Sequence, residues 1–262
     1  MSLPRFFLEE QVLSDEIGEA FLLRLSDDDI KHVSVLRLKA DEHIAVIDAH
    51  GDYFECAIVG YEGKLPIVSI SAHADNDEAR PYVVLAQGLA KADRFELVIR
   101  HATELGVSAF IPFASKRCVV KIAASKEQSK RERWQAILKS AAMQSGQRSI
   151  PSMLPIMDTS KLAVWAKDAK CILICWEEAD FTQTLRDALS NTDPVSFTED
   201  APLLIVIGPE GGLEREEIDA LLALHESSHV ISLGSSILRT ETAGIVAPAL
   251  ALYELGQLGG IR

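Results

Sequence analysis

The sequence predicts a small N-terminal β-barrel-like domain followed by an α/β domain with a mostly parallel sheet. Short segments rich in Val, Ile and aromatic residues fill the first part of the chain, and strand-like and helix-like segments alternate after residue 81. With 262 residues, of which 48% are hydrophobic and 25% charged, the chain can form two domains with a large core. This composition excludes disordered, collagen-like and coiled-coil proteins.

The first domain is predicted over residues 1–73 and consists mainly of short strands. The strand-like segments are Phe21–Leu25, Ile44–Asp48, Tyr53–Gly60 and Pro66–Ser71. One helix interrupts them, with Ser26 as its N-cap before three aspartates whose charge suits the helix dipole. The polar residues 74–80, followed by Pro81, form the predicted linker.

The second domain is predicted over residues 81–262, with helices on both faces of its sheet. The strands are Tyr82–Gly88, Val107–Phe113, Cys171–Cys175, Leu203–Ile207 and His229–Leu233. The first helix opens at a capping box formed by Asp93 and Glu96. The other helices are Lys126–Ser145, Phe181–Ser190, Glu214–Leu224 and Thr240–Leu255. Because the last of these is apolar on almost every side, we expect its own domain and a second subunit to cover it.

The cysteine pattern and the hydropathy of the sequence indicate the cellular compartment of the protein. The four cysteines include no C-x-x-C pair, as expected of a protein kept reduced in a cytosol. No apolar run approaches the length of about 18 residues that spans a membrane, and residues 1–10 lack the apolar stretch of a secretory signal. We therefore expect a cytoplasmic protein without a membrane-spanning segment.

Charge is distributed unevenly along the chain, although its net value is −13. From Lys91 to Arg148 there are 12 Lys and Arg against 5 Asp and Glu, whereas residues 1–80 and 149–262 each carry 7 against 17. A central basic block of this kind indicates a polyanionic partner, because Lys and Arg release the counterions condensed on phosphates. The alternative is a solvated helix of mixed charge near Lys126–Arg133.

A glycine-rich motif, Gly208–Gly212, follows the strand Leu203–Ile207 and precedes a helix. This placement predicts a ligand at the carboxyl edge of the sheet. The motif is neither the dinucleotide-binding G-x-G-x-x-G nor a P-loop. The acids Glu210, Glu214, Glu216 and Glu217 favour a cationic or zwitterionic ligand over a pyrophosphate. The alternative is a tight turn before an acidic helix.

A second motif, Leu233–Ala243, also links a strand to a helix. Arg239 lies beside the positive end of that helix, which is electrostatically unfavourable, so we expect it to meet an anion from a ligand or from Glu241. The alternative is a local Arg–Glu pair with Thr240 as the N-cap.

The segment from His225 to His229 matches H-E-x-x-H, the pattern of zinc proteases. That chemistry needs both histidines on one helical turn. Here the predicted helix ends at Leu224, before His225, and a predicted strand begins at His229. We therefore expect no metal site. Cys171 and Cys175 belong to a predicted buried strand, and the absence of G-x-S-x-G argues against a serine hydrolase.

Taken together, these motifs resemble the RsmE-type 16S ribosomal RNA uridine-N3 methyltransferases, which belong to the SPOUT class of S-adenosylmethionine enzymes. The segments that carry the resemblance are Gly88–Glu96, Ala102–Val107, Ala141–Gly146, Ile207–Gly212 and Leu233–Ala243. Arg5–Phe7 and His32–Arg37 also resemble the small PUA-like domain of that family.

The resemblance implies a PUA-like β-barrel, a SPOUT domain tied in a trefoil knot, a homodimer, and methylation of 16S ribosomal RNA within the small subunit to give 3-methyluridine. It implies S-adenosylmethionine binding by Gly208, Pro209, Glu210, Gly211, Gly212, Leu233, Gly234, Ile237, Leu238 and Thr240. The implied RNA contacts are Arg5, Arg37, Lys91, Arg94, Lys116, Arg117 and Arg148. Arg239 is the candidate electrostatic stabiliser of the reacting base, and Glu241 is the candidate for orienting Arg239 or accepting the proton of the base.

The sequence departs from the family pattern at four positions. Ala92 replaces the usual Gly, Met143 the usual Glu, and Gln147 and Ser236 each replace a usual Arg. We expect the loss of two cations to weaken RNA contact more than cofactor binding. The competing class is a non-catalytic RNA-binding or assembly protein in which both glycine motifs are only turns.

Overall fold

The computed structural model describes residues 3–74, 80–179, 183–190, 192–224 and 226–260. Two compact units are present: Met1–Glu78 together with Ala142–Ser149, and Ala79–Ala141 together with Ile150–Arg262. Residues 75–79 of the predicted linker lie outside the described residues, so the predicted domain boundary at 74–80 stays a prediction.

The first unit contains a five-stranded sheet. Its strands are β1 (Arg5–Phe7), β2 (Phe21–Leu22), β3 (His43–Ile47), β4 (Tyr53–Glu62) and β5 (Leu65–Ala74), in the order β1-β3-β4-β5-β2. β1 is parallel to β3, and the other pairs are antiparallel. A helix, α1 (Asp27–Leu36), begins at the predicted N-cap, where Ser26 Oγ accepts a hydrogen bond from the Asp29 N–H. The three-residue β1 was not predicted, because so short a segment carries no alternating pattern.

The second unit contains a six-stranded sheet that is parallel throughout. Its strands are β6 (Val83–Gly88), β7 (Ala109–Phe113), β8 (Ser152–Met153), β9 (Cys171–Cys175), β10 (Leu203–Ile207) and β11 (Ser228–Ile231), in the order β11-β9-β10-β6-β7-β8. The predicted parallel sheet is confirmed. β6, β9 and β10 are buried along their whole length, which explains their continuous apolar sequences.

Helices cover both faces of this sheet. They are α2 (Arg94–Leu105), α3 (Ala124–Ser145), α4 (Thr159–Trp165), α5 (Leu185–Leu189), α6 (Arg215–Leu222) and α7 (Thr240–Glu254). Val83 and Leu85 of β6 pack in one core with residues of α2, α3, α5 and α7. Val84 and Ala86 point the other way, into a second core with residues of α4 and α6. The alternation along β6 thus places one helical layer on each face.

Two helix predictions need correction, and two short elements were not predicted. The capping box at Asp93 is wrong, because the Asp93 side chain makes no capping hydrogen bond and Glu96 binds Arg133 instead. The predicted helix Phe181–Ser190 is reduced to α5, and its residues 181 and 182 lie outside the described residues. The short elements α4 and β8 were not predicted.

The C-terminal helix α7 is covered on one side only. Ala243, Gly244, Ala247, Ala251 and Leu252 are buried, and α7 packs against α2, β6 and β10. On the opposite side Leu250 and Tyr253 are 41% and 55% exposed. Among the residues described, no helix is both long enough and apolar enough to cross a membrane.

Candidate active site

Loops at the carboxyl ends of β6, β9, β10 and β11 enclose a cavity of about 390 Å³. Most of the lining comes from the two predicted motifs, together with residues that follow β9. The lining residues are Arg94, Cys175, Trp176, Glu177, Ile207, Gly208, Pro209, Glu210, Gly212, Ser232–Glu241 and Ala243. Parallel strands bring these loops to one edge of the sheet, where ligands of open α/β folds bind.

Nine of the ten predicted cofactor residues line this cavity. Gly211 does not, and its carbonyl accepts a hydrogen bond of 3.2 Å from Arg117 Nη1. Arg239 and Glu241, the predicted catalytic residues, are also in the lining. Trp176 and Glu177 were not predicted, although their position directly after a buried strand is the same signal that identified the two motifs.

Two glycines allow the loops to approach closely. A Cβ on Gly88 would overlap the backbone of Gly208 and Pro209, so only glycine lets the end of β6 pass under the loop after β10. Gly212 has φ 71°, and a Cβ there would also overlap the Glu177 carboxylate. Gly88 is therefore required by packing, and Gly212 of the first motif by its turn conformation.

A buried hydrogen-bond chain links the two motifs. Thr240 Oγ1 donates to the Gly208 carbonyl oxygen at 2.5 Å, and Gln87 Nε2 donates to Thr240 Oγ1 at 2.8 Å. The alternative prediction that Thr240 is the N-cap of α7 is wrong, because Arg239 occupies the N-cap position and the Thr240 hydroxyl is committed to Gly208. Sequence analysis missed Gln87. The feature that could have indicated it is its polarity near the end of an otherwise apolar strand.

Charged side chains form a second link between the motifs. Arg94 Nη1 lies 3.0 Å from Glu210 Oε1, and Arg94 Nε lies 3.7 Å from Glu241 Oε1. Burial raises the pKa of Glu210, but hydrogen bonds from the backbone N–H groups of Lys91 and Glu210 itself, with the Arg94 guanidinium, outweigh it. The pKa of Glu210 consequently lies below its ordinary value of 4.5, so the cavity keeps a negative charge at neutral pH.

Arg239 and Glu241 each keep a polar group without a partner among the described residues. Glu241 Oε2 is buried, and no described residue bonds to it. Arg239 is exposed, and within the described part of the chain its side chain makes neither a hydrogen bond nor an ion pair. The alternative of a local Arg239–Glu241 pair is wrong, since Glu241 pairs with Arg94. Arg239 therefore remains available for an anion at the mouth of the cavity.

Glu217 is a fully buried carboxylate that fixes the loops behind the cavity. Its Oε1 accepts from the Lys116 N–H at 3.0 Å and the Thr159 hydroxyl at 2.6 Å, and its Oε2 accepts from the Glu214 N–H at 3.0 Å. With both oxygens satisfied, Glu217 is a structural residue.

The thiol in the cavity is not a nucleophile. Burial raises the pKa of Cys175 to about 12, so the thiol stays protonated at neutral pH. The prediction that Cys171 and Cys175 belong to a buried strand is confirmed by β9.

The cations predicted to bind RNA in the second unit lie next to acids. Lys116 Nζ is 3.2 Å from Glu214 Oε2 and 3.5 Å from Glu216 Oε2, and Arg117 Nε is 3.9 Å from Glu214 Oε1. Lys91 is exposed, and its backbone N–H donates to Glu210. Such solvent-exposed pairs contribute about 0–1 kcal/mol each, so a phosphate can compete for these cations.

In the first unit the structure brings together two of the three predicted cations. The guanidinium carbons of Arg5 and Arg148 lie 5.3 Å and 5.9 Å from the Tyr53 ring centroid. Arg5 also donates to the carbonyl oxygens of Gly146 and Gln147. Arg37 is exposed elsewhere in this unit, at the end of α1.

The H-E-x-x-H pattern does not form a helical zinc site. α6 ends at Leu222, and His229 lies in β11, where its Nδ1 is 2.8 Å from Gln183 Nε2. His225 lies outside the described residues. Among the residues described, no three His, Cys, Asp or Glu side chains lie together so that they could hold a metal ion.

Similarity to known proteins establishes the family of this chain. A family model described as an RNA methyltransferase domain matches residues 77–252. A Bacillus subtilis ribosomal RNA small subunit methyltransferase E is 31% identical over 262 residues, which cover 98% of this chain and 99% of the relative. The chain belongs to this family of RNA methyltransferases. A Mesomycoplasma hyopneumoniae relative of the same name is 32% identical and covers 92% of this chain and 95% of the relative.

Solved structures agree with this family and its fold. A Legionella pneumophila methyltransferase in complex with the cofactor SAM superposes with a TM-score of 0.77, at 29% identity over 97% of this chain and 98% of the other. A Neisseria gonorrhoeae ribosomal RNA small subunit methyltransferase E bound to S-adenosyl methionine has a TM-score of 0.75, at 26% identity over 96% and 98%.

Proposed function

We propose that this chain transfers a methyl group from S-adenosylmethionine to N3 of a uridine in 16S ribosomal RNA, giving 3-methyluridine. The observation that carries the proposal is the cavity formed by Gly208–Gly212 and Leu233–Thr240 at the carboxyl edge of the parallel sheet. It belongs to a chain whose structural relatives bind S-adenosylmethionine.

The cavity residues fit this cofactor. Glu177, Glu210 and Glu241 provide negative charge near a sulfonium cation, and Ile237 and Leu238 provide apolar surface. The glycines Gly208 and Gly212 leave backbone groups accessible to the adenine and the methionine moieties. When bound, the cofactor supplies a methyl group on a positively charged sulfur.

The side chains at the mouth of the cavity would act on the base. Uracil N3 must lose its proton so that its lone pair can accept the methyl group, and the base carries negative charge as the proton leaves. Arg239, exposed and without a partner in the described part of the chain, would stabilise this charge. Glu241 Oε2, buried and without a hydrogen bond in the described part of the chain, would accept the proton or help to orient Arg239.

RNA binding is assigned to Arg5, Arg37, Lys91, Arg94, Lys116, Arg117 and Arg148. Cations position RNA through its phosphates, whereas the base edge supplies specificity. The grouping of Arg5 and Arg148 around Tyr53 supports a phosphate or base contact in the first unit. The exposed Lys91, Lys116 and Arg117 support one near the cavity.

The proposal extends to the architecture and the assembly. We propose a PUA-like barrel for the first unit and a trefoil knot in the second, which is an exception to the rule against knots. We also propose a cytoplasmic homodimer acting on the small ribosomal subunit. The exposed apolar side chains Leu250 and Tyr253 on α7 support a second subunit at that helix.

The catalytic role of Arg239 is tested by the Arg239→Ala variant. Single-turnover methyl transfer at saturating cofactor and RNA should slow about a hundredfold to a thousandfold, as for the loss of other groups that stabilise developing charge. Arg100→Ala is the matched control, because Arg100 is an exposed arginine of α2 that does not line the cavity. An unchanged rate for Arg239→Ala would refute the assigned role.

Sequence analysis left a non-catalytic RNA-binding protein as the competing class, and membership of the RNA methyltransferase family argues against it. Calorimetric titration with S-adenosylmethionine distinguishes the two, because a pure RNA-binding protein needs no cofactor.

A further inference from the structure

Gln87 is a buried amide that does not itself line the cavity. It is 0% exposed, and it lies near the end of β6 directly before Gly88. Its Nε2 donates to Thr240 Oγ1 at 2.8 Å and to the Gly88 carbonyl oxygen at 3.4 Å. Its Oε1 is buried, and no described residue gives it a hydrogen bond.

The chain of hydrogen bonds fixes the direction of each donor. The Thr240 hydroxyl has one proton, and at 2.5 Å that proton goes to the Gly208 carbonyl oxygen. The Gln87 amide must therefore donate to Thr240, and its oxygen must face away from the threonine. Bonds arranged donor to acceptor in this way polarise one another. The Gln87 amide thus supports the bond that joins the start of α7 to the loop after β10.

Two features that destabilise the folded state accompany the amide at this position. A buried carbonyl oxygen without a hydrogen-bond partner destabilises the folded state, and Gln87 Oε1 is such an atom among the described residues. A Cβ on Gly244 would overlap Gln87 Oε1 and Val98, so α7 carries a glycine in its interior, where glycine is less stable than alanine. An apolar side chain of similar length would avoid the first of these features. Stability alone therefore does not explain the amide.

We infer that Gln87 is a positioning residue that acts through Thr240 to set the spacing of the two loops that hold the cofactor. This inference rests on the proposed function, since it needs S-adenosylmethionine to bind between Gly208–Gly212 and Leu233–Thr240. Gln87 does not line the cavity, so its effect would reach the cofactor through the Thr240 hydroxyl and the Gly208 carbonyl.

The experiment compares Gln87→Met with Gln135→Met in the full-length chain. Gln135 is a second glutamine of the same unit whose side chain bonds the Pro151 carbonyl and the Met153 N–H, both at 2.9 Å, and it does not line the cavity. The affinity for S-adenosylmethionine is measured by calorimetric titration, and the melting temperature by scanning calorimetry.

Gln87→Met should weaken S-adenosylmethionine binding about tenfold, the effect of one lost hydrogen bond, with an equal or higher melting temperature. Gln135→Met should lower the melting temperature and leave cofactor affinity unchanged. Thr240→Val should reproduce the loss of affinity, and Thr240→Ser, which keeps the hydroxyl, should restore it. Adding Gln87→Met to Thr240→Val should cause little further loss, because both changes break one chain.

Normal affinity in Gln87→Met would overturn the inference, and so would an additive loss in the double variant. A lower melting temperature with normal affinity would show that Gln87 is a structural residue like Gln135. Failure of the unsubstituted chain to bind S-adenosylmethionine would overturn the proposed function and this inference together. Should Gln87→Met fail to fold, equal affinities of Thr240→Val and Thr240→Ser for the cofactor would also overturn the inference.

Discussion

Ala92 holds a backbone conformation that residues with a Cβ rarely adopt. Its φ is 57°, and it lies in the loop between β6 and α2, where the resembled family usually has glycine. The left-handed region costs an L-residue about 1–2 kcal/mol. The neighbouring Lys91 N–H donates to Glu210, so the strained loop is tied to the cavity.

Ala92→Gly should therefore stabilise the protein. Relief of the strain stabilises the folded protein by more than the added conformational entropy of glycine stabilises the unfolded chain. The free energy of unfolding should therefore rise by about 0.5–1 kcal/mol. Urea denaturation measures the free energy of unfolding. Ala136→Gly, at an exposed position inside α3, is the control and should instead cost about 1 kcal/mol. A loss of stability in both variants would contradict the strain at Ala92.

At the scale of residues, sequence analysis predicted which side chains line the cavity better than how they pair. Gly208, Arg239 and Glu241 lie where expected, because strand ends and helix starts are local features. The pairing of Arg94 with Glu210 joins residues far apart in sequence, and local spacing carries no information about it. Gln87 was missed for the same reason, since its partner Thr240 belongs to the last helix.

At the scale of elements, the apolar strands and the long helices were predictable. β9 and β10 have the predicted bounds, because their continuous apolar runs reflect burial on both faces. The two-residue β8 and the seven-residue α4 were not predicted, since tertiary packing defines elements too short to show a period. The capping box at Asp93 failed because Glu96 has a stronger charged partner in Arg133.

The loop between β7 and α3 carries the element-scale prediction on RNA. Lys116 and Arg117 lie in this loop, and their side chains are half-exposed beside Glu214. If they bind phosphates, Lys116→Ala and Arg117→Ala should each weaken RNA binding and reduce the salt slope of log K by about 1. Lys161→Ala, an exposed lysine on α4, should leave the slope unchanged. An unaltered slope in the Lys116 and Arg117 variants would contradict this RNA surface.

At the scale of the whole molecule, helix α7 has one side buried in its own domain and one exposed apolar side. Its buried side packs against α2, β6 and β10, and its first residue, Thr240, closes the cavity. Its other side presents Leu250 and Tyr253. The sequence predicted that such an apolar helix needs cover on all sides, and one chain supplies only part of that cover.

Leu250→Asp should therefore dissociate the proposed homodimer. A charge in the centre of an apolar interface is costly unless it is paired, so sedimentation should show monomers where the unsubstituted chain forms dimers. Val164→Asp, at a position that is 66% exposed on α4, is the control and should stay dimeric. A dimer that persists in Leu250→Asp would place the interface elsewhere.

The central claim is that the cavity between the two glycine motifs holds S-adenosylmethionine for the methylation of uridine N3. The most direct test is the transfer of labelled methyl to small ribosomal subunits that lack the modification, followed by analysis of the nucleosides. The account predicts label in 3-methyluridine, with loss of label in Arg239→Ala but not in Arg100→Ala. Label in a different nucleoside would contradict the account. Absence of both methyl transfer and cofactor binding would contradict it as well.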